Sequence, residues 1–182
     1  MAENRRFALK RATDAAHRHV EGVITSAGMF ASIDGYRRYL SATLAIRTRF
    51  EILLDASGAA AVWPLWPSRR VAKLVAQDIE DLGGVHPLTQ KKSDQLLKPP
   101  ELFGALYVLE GSSLGARVLS RSVHAFGLSA DHGARHLHAQ AGDAAIWRDF
   151  LLALDSAAEP PCHATAVRVF GDFADAYTRA AR

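Results

Sequence analysis

The run Glu101 to Phe126, ELFGALYVLEGSSLGARVLSRSVHAF, limits what this chain can fold into more than any other stretch. It follows Pro99-Pro100, whose fixed φ suits a first helical turn, and Glu101 complements the positive end of a helix dipole. Leu102, Leu106, Leu109, Leu114, Val118, Leu119, Val123 and Phe126 recur at helical spacing, which predicts one long helix. At about 100° per residue, Gly111 and Gly115 each fall within roughly 20° of Gly104, so one face is nearly bare of side chains. Each interior glycine costs about 1 kcal/mol relative to alanine. Two structures would offset that loss: another helix crossing on small residues, or a planar ligand lying over the main chain.

The rest of the chain supplies a helical setting for this stretch. With 182 residues, 49% hydrophobic and 23% charged, it is expected to form one domain spanning 1–182 with a substantial core. Helical periodicity predicts segments from about Arg5 to Ala27, from Asp34 to Leu54 with Asp34 as N-cap, and from Ser68 as cap to Leu82. Further segments run from Asp143 as cap to Ala157 and from beyond Pro160-Pro161 to Ala180. His86 to Lys98 reads as a connection with a short helical turn at Ser93 to Leu97, and the stretch holding Trp63 and Trp66 as a loop packed on the bundle. No strand-like alternation and no internal repeat emerge, so the fold class is all-α, about six to eight helices.

Composition also narrows the partners. A net charge of +3 and a pI near 9.2, without Lys/Arg runs interleaved with aromatics, argue against nucleic acid and suit an anionic ligand or an acidic protein. No apolar run approaches the ~20 residues of a membrane span, and the N-terminal stretch lacks the apolar core of a secretory signal, so a cytoplasmic protein is expected. The single Cys162 fits a reducing compartment and reads as buried or idle. Asp78, Glu80 and Asp81 read as solvated, as do Arg37, Arg38, Arg47 and Arg49, and His132, His136 and His138 as part of a surface loop.

In the first helix Phe7, Leu9, Ala12, Ala16, Val20, Val23 and Ile24 are candidates for the interior, and Lys10, Thr13, His17, Glu21 and Ile24 share a stripe. His19 lies about 200° round from His17, so only one of the two imidazoles can face a given ligand. By itself a helical histidine of this kind is more often a core or surface residue than a ligand.

Two stretches carry a family resemblance. ALYVLEGSSLGARVL resembles the distal helix of bacterial heme oxygenases, especially those that supply biliverdin to bacteriophytochromes, with their Tyr-x-x-Glu-Gly-Ser-x-Leu-Gly pattern. Tyr107, Glu110, Gly111, Ser112, Leu114 and Gly115 match it, whereas Ala116 stands where many relatives have a second glycine. FALKRATDAAHRHVEG resembles the family's proximal helix, and His17 takes the position of the heme-iron ligand. The resemblance implies a heme-oxygenase-like helical bundle gripping heme between these two helices.

It further implies that Glu21 orients the imidazole, that Lys10 and Tyr107 reach propionates, and that Arg168 on the last helix is a further propionate candidate. Gly111, Ser112 and Gly115 would form the distal wall where O₂ is held towards one meso edge, with protons arriving through ordered water anchored by Ser112 and Ser113. Ser112 stands where mammalian relatives have an aspartate. The implied reaction converts heme, O₂ and external electrons to biliverdin, CO and ferrous iron, with an electron donor such as a ferredoxin or a reductase. A bacteriophytochrome is a possible recipient of the bilin. The alternative on the same fold is a heme-binding carrier or sensor without turnover.

Overall fold

The computed structural model describes residues 4–86, 96–142 and 144–182, and no strand forms among them. Nine helical segments do: α1 (Arg5–Ser26), α2 (Ile33–Ala56), α3 (Ala59–Val62), α4 (Trp66–Arg69), α5 (Ala72–Asp81), α6 (Pro99–His124), α7 (Arg135–Ala141), α8 (Ala144–Ser156) and α9 (His163–Ala180). The expected all-α architecture is therefore observed. The turn at Ser93 to Leu97 lies largely, and the Asp143 cap wholly, outside the described residues.

Local signals set most of the helix ends. Asn4 caps α1 by accepting from the Arg6 amide at 3.0 Å. At α6 the Glu101 carboxylate reaches back to the Lys98 amide at 2.8 Å, and Pro99 and Pro100 occupy the first turn. The helix then runs unbroken through its glycines. It is long and apolar enough to cross a membrane, with a mean hydropathy of 1.2 over an 18-residue window, yet 61% of that window is buried within the bundle. It is the core helix.

Several expected ends are corrected by contacts between segments. Ser32, two residues before Asp34, caps α2 by accepting from the Gly35 amide at 3.0 Å. The helix expected from Ser68 is split: α4 ends at Arg69, Arg70 is extended, and α5 starts afresh. Its first amides, Val71 and Ala72, donate to the Glu51 carboxylate at 2.8 and 3.1 Å, and Arg47 Nε donates to the same oxygen at 3.0 Å. A buried carboxylate on α2 thus caps a helix twenty residues on, and Arg47 belongs to the interior instead of a solvated face.

The acidic residues of α5 are likewise not solvated as a group. Asp78 is fully buried and accepts from the amides of Arg135 and His136 and from the His136 ring at 2.7 Å. Asp81 accepts from the Gly133 amide at 2.7 Å and pairs with Arg135. These bonds convert part of the expected histidine-rich surface loop into α7 and bury His136 completely. Trp63 and Trp66 pack into the core as anticipated.

Candidate active site

Three helices run side by side in the same direction and define the site. The Cys162 amide donates to the Pro100 carbonyl, and Thr165 lies against Gly104, so α9 starts level with α6 and runs parallel to it. The His17 ring meets the Phe170 ring edge-on at 5.4 Å between centroids, and Ser26 at the end of α1 shares a surface cleft with Thr178 and Ala181 at the end of α9, so α1 runs alongside α9 in the same sense. Arg5 donates to the carbonyls of Leu154 and Ala157 at the end of α8, and α8 begins against α6 where Trp147 approaches Gly111. The Thr13 hydroxyl stands beside the Tyr107 phenol. His17 and Gly111 each lie one turn, about 6 Å, beyond that contact. They are therefore level with one another on helices that are not among the closely packed pairs.

The glycine face of α6 divides into three environments. A Cβ on Gly104 would lie 2.5 Å from the Cys162 carbonyl oxygen, so this glycine admits the start of α9. A Cβ on Gly111 would meet the Trp147 indole at 3.5 Å, an ordinary contact, and one on Gly115 would meet nothing within 4 Å. Around Gly115 the wall is apolar and uncovered: Leu114 is 50% exposed and Val118 64%. Such uncovered apolar surface on a core helix marks a binding face.

On α1, His17 is 54% exposed, and its Nδ1 lies 3.8 Å from a Glu21 carboxylate oxygen. Its Nε2 makes no hydrogen bond to a described residue. Lys10 is exposed and shares the His17 stripe about two turns earlier. The helix is sparsely buried, Leu9 and Thr13 being its only fully buried positions, and Phe7, expected inside, is 60% exposed. Ala12 is exposed as well.

Tyr107 is half-buried with its ring 5.7 Å from that of Trp147. Burial pushes its phenol up, against the opposing influence of the Thr13 hydroxyl and Arg6. Ser112 donates to the Leu109 carbonyl at 2.6 Å and accepts from Gln140 of α7 at 2.7 Å. Arg168 lies about 200° round α9 from Phe170, one turn before Asp172, whose carboxylate pairs with Arg49 of α2. The structure thus brings His17, Glu21 and Lys10 onto one wall and Tyr107, Gly111 and Gly115 onto the facing one, with Ser112 turned towards α7 and Arg168 directed elsewhere.

By helical periodicity alone Trp147 is an ordinary interior residue. Its indole N–H is buried without a partner while its ring covers Gly111 and stacks on Phe150 at 5.7 Å. Nothing in the periodicity separates it from Phe150 or Leu154. Glu110, read only as part of a motif, is 2% exposed and receives the Trp63 Nε1–H at 3.1 Å and Arg69 Nε at 3.0 Å.

These walls fit a planar, metal-centred anion: a free imidazole nitrogen on one side, bare main chain and apolar side chains on the other, and a lysine and a tyrosine at the margin. No family model matches the chain. It is similar to heme oxygenase PigA of Pseudomonas aeruginosa, with 32% identity over 149 residues, 79% of this chain and 73% of that protein. Its fold is also similar to a crystal structure of the NO- and CO-bound heme oxygenase of Neisseria meningitidis. That match has a TM-score of 0.81 and 26% identity and covers all of this chain and 92% of the other.

Proposed function

Because this chain belongs to the bacterial heme oxygenase family and is an enzyme that degrades heme, we propose that it opens heme to biliverdin, CO and ferrous iron, using O₂ and electrons from an external donor. The observation that carries this reading is an exposed imidazole on α1, His17, about one turn short of the level at which the backbone of α6 lies uncovered at Gly115.

In this reading His17 Nε2 would hold the heme iron. A neutral imidazole there would keep the iron reducible. Glu21, 3.8 Å from Nδ1, restrains the ring and favours the tautomer with its lone pair on Nε2. Lys10 and Tyr107 seat the propionates; the phenol, pushed up by burial, stays protonated and donates. When bound, heme supplies the redox-active iron and the meso carbon that is oxidised.

The main chain left uncovered at Gly115 would let the porphyrin approach α6 closely. With no imidazole on that wall, protons reach the distal pocket through ordered water. Ser112 is already bonded on both sides and Ser113 is buried about 200° round α6 from Gly111, which leaves backbone groups to hold such water. The donor is a ferredoxin or a reductase, and the product serves as a bilin chromophore, for a bacteriophytochrome, or is released in iron recycling.

An aerobic turnover assay tests the proposal: the protein is loaded with one equivalent of hemin and given a reductant. Decay of the Soret band with growth of biliverdin absorption and release of CO is expected. A stable heme complex that survives reductant and air without bilin would instead identify a heme carrier or sensor.

A further inference from the structure

The two side chains flanking Gly111 point to opposite sides of the bare stripe, each about 100° away from it. Both are tied to other segments. Glu110, 2% exposed, spends one carboxylate oxygen on the Trp63 indole at 3.1 Å and the other on Arg69 Nε at 3.0 Å. Arg69 is held in turn by its carbonyl, which accepts from Arg47 at 3.2 Å. On the other side, Ser112 accepts from Gln140 at 2.7 Å. Arg117 strengthens that side by donating to the carbonyls of Ala141 and Gly142 at 3.0 and 3.2 Å. Between these ties lies Gly111 to Gly115, built from glycine and serine with a single leucine. Those are poor helix formers with little side chain to lock the segment by packing.

A helix that is locally weak and bare on its working face has to be oriented from its flanks. We propose that the Glu110 clasp to Trp63 and Arg69, together with the Ser112–Gln140 bond, sets the rotation of α6 about its axis and thereby which meso edge of the bound porphyrin faces the bare main chain. The inference rests on the heme oxygenase reading and adds positioning residues to it: Glu110, Trp63, Arg69 and Gln140 act through the backbone they hold. A buried carboxylate with both oxygens engaged suits this role, because rotating the helix would leave it and its donors unpaired.

The test compares Glu110→Gln, which keeps the volume and removes the charge, with Gln140→Ala, whose site lies outside the core and does not endanger folding. Leu40→Ala, a core truncation on α2, serves as a destabilised control. Hemin titration, the isomer ratio of the biliverdin produced, and the C–O stretching band of the reduced, CO-bound protein are measured for each. One-to-one hemin binding is expected throughout.

In at least one of the two tether variants the isomer ratio should shift about tenfold from wild type, equivalent to ~1.4 kcal/mol between competing transition states. The C–O band should split or move in the same variant and not in the control. Isomer ratios and bands in both tether variants matching those of wild type and Leu40→Ala would overturn the proposal. Failure of the wild-type protein to bind hemin would appear in the first spectrum and would overturn the heme oxygenase reading beneath it.

Discussion

Gly104 and Gly115 sit three turns apart on the same face of α6 and look alike in sequence, yet one is surrounded and the other is bare. At Gly104 the Cys162 carbonyl and Thr165 come so close that no side chain fits. At Gly115 nothing lies within 4 Å of where a side chain would begin, and Leu114 and Val118 beside it stand open. The first glycine admits a neighbouring backbone and belongs to the fold. The second leaves backbone uncovered and belongs to the proposed site, with Gly111 beneath the Trp147 ring marking the boundary. The glycine stripe admits a neighbouring backbone at one end of α6 and at the other leaves the open face that the proposed ligand site requires.

Substitutions should separate the two ends. Gly115→Leu fills the bare face and should weaken hemin binding about 100-fold, or ~2.7 kcal/mol, while the melting temperature of the heme-free protein does not fall. Unaltered hemin affinity would show that the porphyrin does not lie there. Gly104→Ala drives a methyl group into the start of α9, and chemical denaturation should record a loss of about 2–3 kcal/mol; wild-type stability would mean that α9 can shift freely.

Away from both glycines, burial pushes the His136 imidazole down despite its bond to Asp78. The unfolded chain therefore binds the proton that the folded one rejects. Stability from this group is fully present above the unfolded pKa of about 6.5 and is lost as pH falls below it, by at most ~1.4 kcal/mol per pH unit. His136→Gln should flatten that slope in denaturation measured between pH 7 and 5, and an unchanged slope would assign it to other groups. The smallest effect is expected from Gly115→Ala, which adds helix propensity in open space and should raise heme-free stability by about 0.5–1 kcal/mol, the opposite sign to Gly104→Ala.

What was readable in the sequence was local. Arg5 begins α1, Pro99 and Glu101 begin α6, and apolar recurrence marks their courses, because first-turn signals and periodicity act within a few residues. The facing pair of His17 and the glycine stretch came from family wording, since spacing alone left both open. The interactions that local patterns do not reveal join residues far apart in the chain. Glu51 caps α5 from 20 residues away, Trp63 reaches Glu110 across 47, and Asp78 holds His136 across 58. Each of these polar residues has the composition of a solvated surface until its partner is known. Gly104 and Gly115 could not be told apart for the same reason: the difference lies in Cys162 and Thr165.

Hemin titration of the wild-type protein and of His17→Ala, followed at the Soret band with and without added free imidazole, tests the grip between α1 and α6 most directly. His17 is exposed enough that its removal should leave the fold intact. Wild-type protein should saturate at one hemin per chain with an imidazole-ligated spectrum. His17→Ala should lose that spectrum and bind at least tenfold more weakly, and free imidazole should restore it. A His17→Ala spectrum and affinity indistinguishable from wild type would place the axial ligand elsewhere and contradict the site.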